Sequence, residues 1–133
     1  MEELAEAALK AREYAYVPYS KFKVGAAVRG GSGQIYTGCN IENASYGLTN
    51  CAERTAIFKA ISEGEQELVA LAIVADTPGP VSPCGACRQV MAEFGIRKIT
   101  LLNVKGDQRT VTLDELLPYS FAKDDFAKDG DRK

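Results

Sequence analysis

Histidine is missing from this chain altogether. That absence removes Ser–His–Asp and Cys–His catalysis, together with every zinc site built on imidazole. Any metal must then be held by thiolates and carboxylates. Long apolar runs are missing too: the longest, LVALAIVA at 68–75, is far too short to span a bilayer. No apolar signal-peptide core opens the chain, since residues 2–16 mix acidic and basic side chains on an amphipathic pattern. Nor is there a basic excess: 16 Lys and Arg against 18 Asp and Glu give a net charge of −2, and the densest basic cluster is Lys21 with Lys23. A phosphate-binding surface needs such an excess or patch, so a small ligand suits this chain better than nucleic acid or a membrane. The expected compartment is the cytosol, where thiols stay reduced. Cys39, Cys51, Cys84 and Cys87 are accordingly read as ligands, nucleophiles or core residues rather than as two disulfides.

What is present fits one domain over 1–133, since 133 residues can bury a core without covalent staples. Leu4, Ala8, Ala11 and Ala15 recur at helical spacing over 2–16, and Pro18 stops the helix. Phe22, Val24, Ala26 and Val28 alternate with their neighbours, and GGSG at 30–33 turns the chain into QIYTGCN, which together predict a β-hairpin over 22–40. A helix is expected from CAERTAIFKAIS, a buried strand from ELVALAIVAD, a helix over about 84–94, and strands from KITLLNV and RTVT. Thr112 and Glu115 stand at capping-box spacing. The polar stretch 122–133 reads as a frayed tail. The order β-β-α-β-α-β-β after one helix implies an α/β fold, a mixed sheet with helices on its faces. The four-residue turn KGDQ permits only antiparallel pairing of the last two strands.

PCGAC at 83–87 leaves three options: a redox dithiol, half of a structural zinc knuckle, or half of a catalytic metal site. Cys51 starts one predicted helix, while Cys84 and Cys87 share a face in the first turn of another. Helix starts favour thiolates, and two helices that each follow a strand of one sheet can meet at its edge, where open α/β sheets bind ligands. Three thiolates leave one tetrahedral position of a zinc ion open, as catalytic sites do. Cys39, inside a predicted strand, is read as a buried free thiol and left out of that shell. Glu53, two residues after Cys51, does not share its face, but a carboxylate flanking the open side could accept and deliver protons. Zinc with three thiolates carries a net −1; Arg54, hydrogen-bonded to the sulfurs, would withdraw charge and restore Lewis acidity. Arg88 beside Cys87 reads as an ordinary solvated arginine.

CAE at 51–53 followed by PCGAC resembles the signature of the zinc-dependent nucleoside and nucleotide deaminases, H-x-E then P-C-x-x-C, in its three-cysteine form. PYSKFKVGAAV, GCNIENASYG, NCAERTA, SPCGACRQV and ELLPYSF, spread in order over residues 18–121, are similar to segments of the homotetrameric cytidine deaminases. The resemblance implies a three-layer α/β/α fold with a mixed five-stranded sheet and an antiparallel last strand. It implies hydrolytic deamination of cytidine and 2′-deoxycytidine in pyrimidine salvage, with one Zn2+ per subunit on Cys51, Cys84 and Cys87 and Glu53 as proton shuttle. The backbone at Ala52 and Cys84 would hold the ring and the attacking oxygen, Phe22 would stack on the base, and Asn40 and Glu42 would meet the ribose 3′-hydroxyl. Tyr46, with backbone at Ala44, would approach a neighbouring subunit's site, Phe121 would line a site across an interface, and Arg54 would bond the thiolates. A homotetramer with shared sites follows from the same resemblance.

Several rivals stand beside this reading. A deaminase of a nucleoside-like antibiotic such as blasticidin S shares the zinc motif, although NIENASYG is more similar to the cytidine enzymes. Editing deaminases of RNA or DNA resemble a version of the fold with a parallel last strand. A thioredoxin-like protein leaves Cys51 and Glu53 unexplained. A non-enzymatic zinc module needs a fourth protein ligand, with Cys39 the one cysteine left. NIENASYG carries an acid and no base, which favours a free nucleoside over its 5′-phosphate.

Overall fold

The computed structural model describes residues 2–126. Helix α1 (Glu3–Arg12) leads into the hairpin β1 (Val24–Gly30) and β2 (Ile35–Cys39). Helix α2 (Ala52–Ser62), strand β3 (Leu68–Ala75), helix α3 (Gly85–Glu93), strands β4 (Lys98–Asn103) and β5 (Gln108–Thr112) and the short helix α4 (Leu113–Leu116) follow, with single 3-10 turns at Tyr46–Leu48 and Lys123–Phe126. The strands form one sheet in the order β2-β1-β3-β4-β5. Only β3 and β4 run parallel; their crossover is α3, the kind of long connection that a parallel return demands. The last strand is antiparallel, with Lys98 opposite Thr112 and Leu102 opposite Gln108 across the four-residue turn.

Two apolar layers sandwich the sheet. On one face α1 packs Leu4, Ala5 and Ala8 against Ala27, Ala72, Val74 and Leu102. On the other, α2 and α3 pack Ala56, Ile57, Ala60, Cys87 and Met91 against Ala26, Val28, Leu71, Ile73 and Ile99. Burial on both faces explains why β3 reads as an unbroken apolar run rather than an alternating one. Gly38 brings α2 close to β2: a Cβ there would stand 2.5 Å from Ala56 N and 2.7 Å from Ala52 O. That close approach seats the first turn of α2 against β2.

Two boundaries differ from the sequence reading. Helix α1 stops at Arg12 instead of running to 16, because Tyr16 is drawn into a parallel bridge with Ile41: its N–H donates to Asn40 O at 3.0 Å, and its carbonyl accepts from Glu42 N at 2.9 Å. Strand β1 begins at Val24 rather than Phe22. The side chain of Asn40 takes the place of a partner strand there, accepting from Val24 N at 2.9 Å and donating to Phe22 O at 2.7 Å. The capping box at Thr112 and Glu115 forms in both directions. Of the tail 122–133, Lys123–Phe126 makes a 3-10 turn and 127–133 lie outside the described residues. Among the described residues, no helix is long and apolar enough to cross a membrane.

Candidate active site

Cys51 and Cys84 occupy equivalent places: each is the extended residue that caps the N-terminus of a helix, α2 and α3 respectively, and neither side chain caps its own helix. Both sulfurs are therefore free for other partners. Cys87 enters from the first turn of α3 and is fully buried. Cys51 Sγ lies 3.8 Å from Cys84 Sγ, and Cys84 Sγ lies 3.4 Å from Cys87 Sγ. All three sulfurs fall within 4.8 Å of one another, the single such metal-capable group among the described residues. Sulfurs bonded at ~2.3 Å to a tetrahedral zinc would be separated by roughly 3.8 Å, a spacing that this triangle brackets. Cys39 stands apart, half-buried in β2, where burial pushes its thiol above the ordinary range.

The electrostatics fit a metal as well. Cys51 is pulled down to about 5 by the hydrogen bond from Cys87 and by Arg54, whereas Cys87 is pushed up as the donor to that thiolate and by burial. Arg54 Nη2 donates to Cys51 Sγ at 3.2 Å. Its Nε is the one buried side-chain polar atom without a hydrogen-bond partner among the described residues. A guanidinium tied this way draws charge from the sulfurs.

Glu53 is only 4% exposed although it stands in the first turn of a helix. Burial, reinforced by the Cys51 charge, raises its carboxyl above the usual range. It lines a cavity of about 200 Å3 with Phe22, Val24, Asn40, Thr49, Cys51, Ala52, Ile73, Val81, Ser82 and Cys84. Phe22 is 42% exposed, so its ring is at the surface of that space rather than in the core. Thr49 also borders a second cavity of about 380 Å3, lined by Tyr19, Ser20, Glu42 and Tyr46, so the two adjoin as an inner and an outer chamber. One chamber holds sulfur, carboxyl and apolar wall; the other holds hydroxyls and a carboxylate.

The fold therefore brings together Phe22, Asn40, Cys51, Ala52, Glu53 and Cys84 in the inner chamber, with Cys87 behind the sulfurs, and Glu42 with Tyr46 in the outer one. Tyr46 is highly exposed and sets its ring edge-on to Tyr19 at 6.0 Å. Ala44 is exposed on the same loop, and Phe121 is exposed against Phe126; neither lines a chamber. Thr49, Ser82, Tyr19 and Ser20 escaped the sequence reading. PYS and the serine that opens SPCGACRQV, inside segments already singled out, pointed toward three of them. Arg88 is not a solvated side chain: it donates to Pro83 O at 3.0 Å and Leu116 O at 2.8 Å, bracing the loop that carries Cys84.

A family model described as the cytidine and deoxycytidylate deaminase zinc-binding region matches residues 1–103. The chain belongs to this deaminase family. A cytidine deaminase of Sporosarcina psychrophila is 59% identical over 129 residues, covering 96% of this chain and 95% of its own. One from Halalkalibacterium halodurans is 59% identical over 125 residues, covering 92% and 95%. The crystal structure of cytidine deaminase from Burkholderia pseudomallei, 52% identical, superposes with a TM-score of 0.87 over 91% of this chain and 100% of that one. The enzyme is thus a hydrolase of the cytidine deaminase family, and its three thiolates coincide with the family's zinc-binding region.

Proposed function

We propose that this deaminase hydrolyses cytidine and 2′-deoxycytidine to the corresponding uridines and ammonia, as a cytosolic step of pyrimidine salvage. One observation carries the reading. A buried carboxyl, Glu53, shares the wall of a base-sized chamber with three clustered sulfurs, and an exposed aromatic ring, Phe22, lies at its side.

Zinc, when bound by Cys51, Cys84 and Cys87, supplies the Lewis acidity that makes water nucleophilic near neutral pH. Everything else is done by the chain. Phe22 stacks on the pyrimidine and presents C4 to the inner wall. Glu53, its proton affinity raised by burial, takes a proton from the attacking water and gives it to N3. As the C4–O bond forms, N3 keeps that proton; Glu53 then takes the second proton from the new C4 hydroxyl and gives it to the amino group, so that the C4–N bond breaks, C4=O forms and ammonia leaves. Backbone at Ala52 and Cys84 holds the ring and the oxygen. Arg54 tempers the charge on Cys51. Glu42, from the outer chamber, and Asn40, from the wall of the inner one, receive the ribose 3′-hydroxyl. Among the described residues, none that lines the outer chamber is a cation, which supports a free nucleoside over a 5′-phosphate, and cytidine should outrun its monophosphate.

The exposed aromatics around the cleft support a homotetramer in which Tyr46, with Ala44, and Phe121 reach neighbouring sites. Incubation with cytidine tests the activity: one ammonia should appear per cytidine lost, a chelator should stop the reaction, and added zinc should restore it. A zinc-loaded protein inert on every cytosine nucleoside would refute the proposal.

A further inference from the structure

The outer chamber holds a connection that the cleft's chemistry does not by itself require. Glu42 Oε1 accepts from Tyr19 N at 3.0 Å and from Ser20 N at 3.1 Å, and its Oε2 accepts from Ser20 Oγ. The same Ser20 Oγ accepts from Phe22 N at 3.0 Å. Lys21, between them, sits in the left-handed region with φ 63°, a conformation that few non-glycine residues adopt without outside support. A carboxylate offers about four acceptor positions. Three are filled by this turn, which leaves one, on Oε2, at a fixed place and direction. These donors also hold the Glu42 carboxyl below the usual carboxylate range, Ser20 foremost, so it stays an acceptor.

One hydroxyl thus joins the two substrate-holding groups. Phe22 is fixed on one side through Ser20 Oγ and on the other through Asn40, which donates to its carbonyl. Asn40 holds Phe22 without Ser20, so a shift of Ser20 bears chiefly on the carboxylate. We propose that Ser20 is a positioning residue that sets sugar specificity by aiming the one free acceptor of Glu42 at a pentose hydroxyl. It touches neither base nor metal. The proposal rests on the reading that Glu42 meets the 3′-hydroxyl, and it adds that the preference for this hydroxyl depends on Ser20.

Steady-state kinetics on cytidine and 3′-deoxycytidine test it, using wild type, Glu42→Gln, Ser20→Ala and Ser20→Thr, with zinc content measured on each. In Ser20→Ala, KM for cytidine should rise roughly tenfold, the size of one well-made charge-assisted hydrogen bond. Its kcat should change less than about twofold, because the bond is uniform binding rather than transition-state stabilisation. The preference for cytidine over 3′-deoxycytidine should collapse to that of Glu42→Gln, and Ser20→Thr, which keeps the hydroxyl, should retain it. Zinc content should be unchanged throughout. Should the alanine variant not fold, Ser20→Cys, a weaker donor of similar size, carries the same comparison. The proposal is overturned if Ser20→Ala weakens both substrates equally, as a merely structural residue would, or affects neither. If Glu42→Gln itself keeps the full preference, the underlying reading of Glu42 has failed instead, and the role of Ser20 falls with it.

Discussion

The two chambers of the cleft are built by opposite means. The inner one is held by regular structure: Cys51 and Cys84 cap α2 and α3, Glu53 and Cys87 follow within one turn, Cys87 belongs to the main core and Cys51 packs against it. The outer one is held by irregular chain. Tyr19, Ser20 and Lys21 form a tight turn, Glu42 to Thr49 a loop, and the two are joined at the surface by the hydrogen bonds of Glu42 to Tyr19 and Ser20 and by the Tyr19–Tyr46 ring contact. The contrast matches their tasks. Bond-making needs groups fixed to a fraction of an ångström on rigid elements. Recognition of a sugar tolerates loops, where binding residues are generally found.

Changes at the inner end should therefore abolish turnover, and changes at the outer end should redistribute it. The largest effect is expected from Cys87→Ala. With one fully buried sulfur gone, zinc binding measured by metal analysis and turnover measured by ammonia release should fall together to background. Arg54→Gln comes next. Loss of the donor at 3.2 Å from Cys51 Sγ should cost roughly 10–100-fold in activity or metal affinity, the usual range for groups that tune metal ligands. Glu42→Gln, at the outer end, should raise KM for cytidine about tenfold and leave kcat within about twofold, a split read from initial rates. If it lowered kcat as far as Arg54→Gln does, the division between the chambers would be wrong.

The smallest effect comes from a residue in neither chamber. Glu65 accepts from Ser32 Oγ at 2.6 Å and from Tyr36 Oη at 3.0 Å, closing the β1–β2 turn, and these bonds, Ser32 first, hold its carboxyl below the usual range. A carboxyl depressed in the folded state adds stability that is present above its unfolded pKa and is lost as pH falls through the folded one. Glu65→Gln should thus lower Tm by a few degrees at pH 7, with the gap closing well below pH 4, while both kinetic constants stay put. Thermal melts across pH check this. A kinetic change would show that the turn communicates with the cleft.

The same contrast governs what the sequence revealed. The inner chamber was legible because its chemistry sits on rare residue types at helix starts, and because Cys84, Cys87 and the Cys51–Glu53 pair are close in sequence. Strand β3 and the antiparallel β5 were legible from an apolar run and a short turn. The outer chamber was legible only through the family resemblance, which offered Glu42 and Tyr46 but gave no role to Ser20 or Thr49. Ser20 and Thr49 are common residues whose roles arise from contacts 22 residues apart for Ser20 with Glu42 and 6 apart for Thr49 with Asn43. Lys21 takes a left-handed conformation where no glycine marks the turn. The stop of α1 at Arg12 was hidden for a related reason. Local propensity favours helix through Ala15, and the bridge from Tyr16 to Ile41 overrides it.

The central claim is that Glu53 moves protons in a site whose metal is held by other groups. Zinc content and turnover, measured on one preparation of Glu53→Gln, test it most directly. The expected result is about one zinc per chain, as in wild type, with turnover of cytidine lower by ~10²–10⁴-fold, the span general acid–base groups contribute. Turnover close to wild type, with zinc retained, would contradict it.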